Sequence, residues 1–319
     1  QEDYATFQNA MISGIRSSKD KISLLNTMNR KFPTSSLVTD ANMEIANTYM
    51  SDEKFGEAIP YLNNVLKNTG NASLKPQALL QLGRAYYNLN NNAEALKQYQ
   101  SLISQYPSSQ QAEDALDNVK VIYVEQGKTD EYAAFMRQAG KPISMDTEDS
   151  LTYAAAENQF VNGNTSAALN SFGNYLQKFP DGVYAIDASY YRAEIYNGKK
   201  DWKNALAAYE PVAANAPNKY AERAILASAR ICFFELKDYN KAETYFEQLS
   251  KEASTQENKL EAMRGLLRSQ YQLQKWTQAV ANAKELAAAK GGSSDDKALA
   301  NMAIAKAFEV EGQYDQAIA

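Results

Sequence analysis

Residues 76–107 read PQALLQLGRAYYNLNNNAEALKQYQSLISQYP. Leu79, Leu82, Ala85, Tyr86 and Leu89 recur at three- and four-residue steps, the spacing that gathers side chains on one face of an α-helix. Asn88-Leu-Asn-Asn-Asn92 interrupts that face with residues that favour turns and caps. Ala95, Leu96, Tyr99, Leu102 and Ile103 then resume the helical spacing, and Pro107 stops it. The stretch is a helix hairpin with more apolar surface than two helices can cover between them. It needs neighbours to stack on.

The neighbours are written in the same chain. A residue in the phase of Ala95 returns as Ala58, Ala95, Tyr132, Ala168, Ala205, Ala242, Ala279 and Ala317, at intervals of 36 to 38 residues. Nine residues earlier stand Tyr49, Tyr86, Tyr123, Tyr196, Phe233 and Phe308; twelve earlier stand Ala46, Gly83, Ala156, Ala193 and Ala305. Four later come Leu62, Tyr99, Met136, Phe172, Tyr209 and Phe246, and twelve later Pro107, Pro180 and Pro217. Small residues allow two helices to cross closely, and aromatic ones fill the space on either side. A fixed period of this length marks supersecondary units that share a continuous core. The expected fold is all-α, a solenoid of helix hairpins with a period of about 37 residues.

Composition narrows the function. The 319 residues carry 33 Lys plus Arg against 38 Asp plus Glu, a formal charge of -5, so no global positive field draws the chain to nucleic acid. Histidine is absent, which removes the commonest general base and metal ligand. One cysteine, Cys232, allows neither an internal disulfide framework nor a cysteine-based zinc site, and its place beside Phe233 and Phe234 predicts a buried, inert thiol. No phosphate-binding glycine loop and no cluster with metal spacing occurs, so no catalytic residue, metal or cofactor is expected. No apolar run is long enough to span a membrane.

The ordered framework of small, aromatic, aromatic, small, aromatic and proline resembles the tetratricopeptide repeat, a helix-turn-helix unit. The resemblance implies a right-handed α-α superhelix over 1–319. About nine repeats are expected: a degenerate first one with Lys21 in place of alanine, and a last one cut after Ala317. The period exceeds the family's usual 34, and the extra residues fall between repeats, in connectors that read YPSSQQAEDA, FPDGVYAIDA and APNKYAERA. Such connectors are similar to those of tetratricopeptide proteins of the Gram-negative cell envelope, the Tol-system coordinator and the outer-membrane assembly lipoprotein among them. That similarity implies a periplasmic or outer-membrane-associated scaffold; a cytoplasmic one is the alternative. Gln1 without an export segment behind it, and an end in mid-repeat, lead us to expect a piece of a longer protein.

In this family the first helix of each repeat lines a concave groove, which implies that positions 15, 11 and 8 before the recurring residue face it. Position 11 reads Asn47, Arg84, Val121, Glu157, Glu194, Ile231, Arg268 and Lys306. Position 15 adds Tyr153, Tyr190 and Arg264, and position 8 adds Tyr87 and Tyr271. A groove with an acidic, tyrosine-lined centre between basic flanks suits a basic or mixed-charge peptide. The expected function is therefore a non-catalytic protein-interaction scaffold in an envelope complex, with self-association through the last repeat as a further contact. The lysine, asparagine and arginine clamp that captures chaperone C-termini is not supplied, because Asn47 is followed by Arg84 and Val121. Glycan binding is the alternative function; Trp202 and Trp276, which would serve it, stand at packing positions shared with Phe55, Tyr239 and Tyr314.

The fourth repeat departs most from the pattern. Tyr132 replaces the small residue, and Lys120 and Thr129 occupy two other framework sites. Altered packing is expected near residues 120–148, since overpacking at a close crossing costs roughly 1–3 kcal/mol unless neighbours adjust.

Overall fold

The computed structural model describes residues 1–68 and 71–318, and among them every regular element is helical. Nine antiparallel hairpins follow one another. The first four are α1 (Glu2–Gly14) with α2 (Ser18–Lys31), α3 (Val38–Ser51) with α4 (Phe55–Lys67), α5 (Lys75–Asn88) with α6 (Asn92–Gln105), and α7 (Gln110–Glu125) with α8 (Thr129–Gln138). Next come α9 (Met145–Val161) with α10 (Thr165–Lys178), and α11 (Ala185–Gly198) with α12 (Trp202–Ala214). Then follow α13 (Ala221–Arg230) with α14 (Tyr239–Glu252), α15 (Gln256–Gln272) with α16 (Trp276–Ala288), and α17 (Ser294–Val310) with α18 (Tyr314–Ile318). By compactness the chain divides into two units, Gln1–Glu148 and Asp149–Ala319. Within each, every hairpin packs on the next as an α-α solenoid.

The periodic alanines do what their size allows. Ala58, Ala95, Ala168, Ala205, Ala242 and Ala279 are all fully buried where two helices cross, flanked by Leu62, Tyr99, Phe172, Tyr209 and Phe246. In the first hairpin Lys21 takes the alanine position, lies against Gly14, and carries its ammonium out to Glu44 at 2.6 Å. In the fourth, Tyr132 is buried with its ring 6.2 Å from that of Tyr123, Lys120 turns out to solvent, and α8 stops after 10 residues.

A second periodicity lies in the backbone. Five residues before each recurring position stand Glu53, Asn90, Gly127, Gly163, Lys200, Lys237, Gln274 and Gly312, all left-handed with φ between 56° and 78°. The next residue's N–H reaches back to close the first helix: Lys54 to the Tyr49 carbonyl at 2.8 Å, Asn91 to Tyr86 at 2.8 Å, Lys128 to Tyr123 at 2.8 Å. This is the Schellman closure, which satisfies carbonyls that the helix end leaves free.

The seventh hairpin breaks the spacing by one. Ile231–Leu236 forms a π-helical turn, and Asp238 closes on Cys232 instead of Phe233, at 2.9 Å. Its connector and first helix run one residue ahead of the beat: Tyr184 to Tyr220 and Ala188 to Ala224 are 36 apart, while Lys200 to Lys237 is 37. The wide turn absorbs the extra residue, as single π-bulges in α-helices do.

Candidate partner-binding face

First helices of successive hairpins run side by side, and side chains bridge them. In the first unit Arg84 on α5 reaches Asp114 on α7 at 3.8 Å, and the Tyr87 hydroxyl donates to both Glu125 oxygens at 2.9 and 3.0 Å. In the second, Arg264 on α15 grips Asp296 on α17 through Nε at 2.5 Å and Nη2 at 2.8 Å. Arg230 grips Glu261 through Nε at 3.1 Å and Nη2 at 2.9 Å. Arg268 is exposed on the same helix as Arg264, and Tyr271 meets Trp276 edge-on at 5.4 Å.

The acidic, tyrosine-lined centre differs from the sequence expectation. Tyr153 and Tyr190 are each only 6% exposed, so their rings serve packing rather than open contact area. Tyr153 stacks on Tyr184 at 4.4 Å and Tyr190 on Tyr220 at 4.1 Å, each pairing a first helix with the connector of the following hairpin. The carboxylates remain at the surface but are held: Tyr153 Oη donates to Glu157 at 3.0 Å, and Tyr209 Oη donates to Glu194. Burial, with the adjacent glutamate second, pushes the Tyr153 and Tyr209 hydroxyls far above the usual phenol value, so both stay protonated donors.

Ile231 does not face the groove. The π-turn shifts the register, Ile231 is buried, and Arg230 takes its place at the surface. The series along the first helices therefore runs Glu157, Glu194, Arg230, Arg268 and Lys306, two acidic positions followed by three basic ones. Between α11 and α13 a cleft of about 530 Å³ opens, lined by Glu194, Trp202, Arg223, Leu226, Arg230 and Phe234 among others. Phe234, on the π-turn, is 46% exposed in it. Arg223, Leu226, Arg230 and Phe234 escaped the sequence reading because constant spacing was carried through the one helix that breaks it. The 36-residue step from Tyr184 to Tyr220 was the legible sign.

Trp202 packs on the core of the second unit and Trp276 on Tyr271, as their framework positions imply. Cys232 is fully buried, and burial pushes its thiol up to about 11. Among the described residues no group of histidine, cysteine or carboxylate side chains is placed to hold a metal ion, and no helix is long and apolar enough to cross a membrane.

Models of the tetratricopeptide repeat match residues 77–109 and 153–220. Solved structures are similar at low identity. The TPR2AB domain of yeast Sti1, in its pHSP90 complex, is 15% identical over 89% of this chain and 100% of that one, with a TM-score of 0.39. Pseudomonas aeruginosa pilF is 14% identical over 69% and 95%, with a TM-score of 0.31. A tetratricopeptide repeat protein from Parabacteroides merdae is 15% identical over 76% and 89%, with a TM-score of 0.29. No curated protein matches the chain. Tetratricopeptide arrays are in general interaction scaffolds without catalysis of their own.

Proposed function

We propose that this chain is a non-catalytic scaffold that holds a partner polypeptide across the first helices of its second unit, with the cleft between α11 and α13 as the central subsite. The observation that carries the reading is the exposed Phe234, set beside half-buried Trp202 and Leu226 and flanked by Glu194 on one side and Arg223 and Arg230 on the other. An apolar floor with charges of both signs at its rim suits an apolar anchor residue within a mixed-charge peptide. The envelope setting rests on the connectors YPSSQQAEDA, FPDGVYAIDA and APNKYAERA alone. Self-association through the last hairpin would use Met302, Tyr314 and Ile318, all exposed on α17 and α18, and sedimentation of a Met302→Glu variant would read it.

Peptides selected from a random display library against the full chain test the groove. Glu194→Lys, Arg223→Glu and Phe234→Ala should each weaken the selected peptides by about tenfold or more, the scale of a lost interface anchor. Unchanged affinity in all three would remove this face as the binding site.

A further inference from the structure

In the second unit, ion pairs tie α13 to α15 and α15 to α17: Arg230 to Glu261 at 2.9 Å, and Arg264 to Asp296 at 2.8 Å. Among the described residues none ties α11 to α13. There Glu194 stands on one wall of the cleft and Arg223 on the other, both exposed, and neither meets an oppositely charged side chain among the described residues. The two halves of an ion pair are held apart with an apolar floor between them.

The open charges continue outward on both sides. Glu157 stands on α9, one hairpin before Glu194, and has no cation within ion-pair distance among the described residues. Lys219, whose charge it influences, is held instead by Asp187 at 2.5 Å. Arg268 is exposed on α15, one hairpin beyond Arg223, and has no carboxylate partner among the described residues. Arg230 and Lys306 are already met, by Glu261 and Glu309. Glu235 lies twelve residues after Arg223 on the same wall, about 18 Å away at about 1.5 Å per residue, too far to neutralise it. Both open carboxylates accept a tyrosine hydroxyl, Glu157 from Tyr153 and Glu194 from Tyr209. A neutral phenol orients a carboxylate without cancelling its charge, so each anion is fixed in place and still unanswered.

We infer that the partner segment is charge-segregated, with basic residues over Glu157 and Glu194, an apolar residue on the floor of Trp202, Leu226 and Phe234, and acidic residues over Arg223 and Arg268. The inference rests on the peptide groove proposed above and adds the order of charge along it. Fixed charges of opposite sign on the two sides of the floor reward that order and penalise charges mixed on both flanks. Carboxylates already oriented also lose less freedom when a cation docks. From α9 to α15 is three helix-to-helix steps of roughly 10 Å, about 30 Å in all, which about nine extended residues span.

The test uses the full chain and four dodecapeptides with a central tryptophan in a serine background. The first carries two lysines before the tryptophan and two aspartates after it, the second has the reverse order, the third has the same charges interleaved on both flanks, and the fourth is uncharged. At least one of the first two should bind about tenfold or more tighter than the third and fourth, read by calorimetry. Glu194→Gln and Arg223→Gln, both at exposed positions, should each weaken that peptide about threefold, the scale of one exposed ion pair, and leave the uncharged peptide unchanged. The inference is overturned if the interleaved or uncharged peptide binds as tightly, or if the two variants weaken the uncharged peptide equally. Should all four peptides bind alike and Phe234→Ala weaken them all, the groove stands and the charge order falls. Should none bind, both fall.

Discussion

Arg264 holds Asp296 with two parallel hydrogen bonds, 2.5 Å from Nε and 2.8 Å from Nη2, and so ties α15 to the first turn of α17. The same carboxylate accepts the Ser293 N–H at 2.8 Å and completes a capping box. One side chain, 3% exposed, therefore joins two helices and caps one of them.

The Arg264 hydrogen bond, with Ser293 adding to it against the opposing cost of burial, holds the Asp296 carboxyl well below the usual carboxylate range. A depressed folded value means that the stabilisation is full above the unfolded value of about 4 and fades as pH falls below it. Asp296→Ala strands a partly buried guanidinium and removes a cap, and should cost about 3 kcal/mol at neutral pH. Urea unfolding of parent and variant at pH 7 and pH 2 checks this. The gap should narrow in acid; a gap of constant size would show that the carboxylate charge is not what matters.

Two glycines in similar helical settings should respond oppositely to alanine. A Cβ on Gly83 would run into the Tyr99 ring, at the crossing of α5 and α6, so Gly83→Ala should cost about 1–3 kcal/mol as overpacking. A Cβ on Gly173 would meet nothing closer than 3.9 Å, and Gly173→Ala should gain about 0.5–1 kcal/mol from helix propensity. Thermal melts of the two variants should move in opposite directions.

The left-handed turn positions predict a matched set. Lys200 and Glu53 hold φ of 59° and 57° without being glycine. Lys200→Gly and Glu53→Gly should each gain about 0.5–1 kcal/mol, relief of left-handed strain less the extra freedom glycine has when unfolded. Gly163→Ala, at φ 78° with open space around it, should lose about 1 kcal/mol from backbone strain alone. Chemical denaturation midpoints would decide whether these turns are strained at all.

Burial raises the hydroxyls of Tyr99, Tyr153, Tyr175, Tyr209 and Tyr220, and pushes Tyr245 up to about 12. A raised folded value gives stability that is intact below the unfolded value of about 10 and is lost as pH climbs past it. Tyrosinate absorbance should therefore rise first from exposed tyrosines, and then in a second step that coincides with loss of helical circular dichroism. Smooth titration of every tyrosine with the helices intact would contradict the burial of these hydroxyls.

Much of the hairpin fold could be read from the chain because one physical requirement, a small residue at each close crossing, repeats often enough to survive local exceptions. Ala58 and Ala242 are buried for the same reason. The groove was less legible. Tyr153 and Tyr190 occupy groove positions by count, yet connector tyrosines stack over them, and spacing within one helix does not reveal what the next connector brings. Asp296 and Glu261 were missed because their partners lie about one repeat away, across a helix pair. Ile231 was misplaced because a helix of π geometry spends an extra residue without moving its end.

That π-turn bears on how such a chain can redistribute residues between a connector and a helix. The insertion in the seventh hairpin is taken up before Lys237, and the left-handed turn at Gln274 returns on schedule 37 residues later. The extra residue in the helix thus offsets a connector that is one residue short, and Lys237 still falls 37 residues after Lys200. An engineer could splice residues into a first helix at this point and expect a new surface side chain, as Phe234 is here, without rewriting the rest of the array.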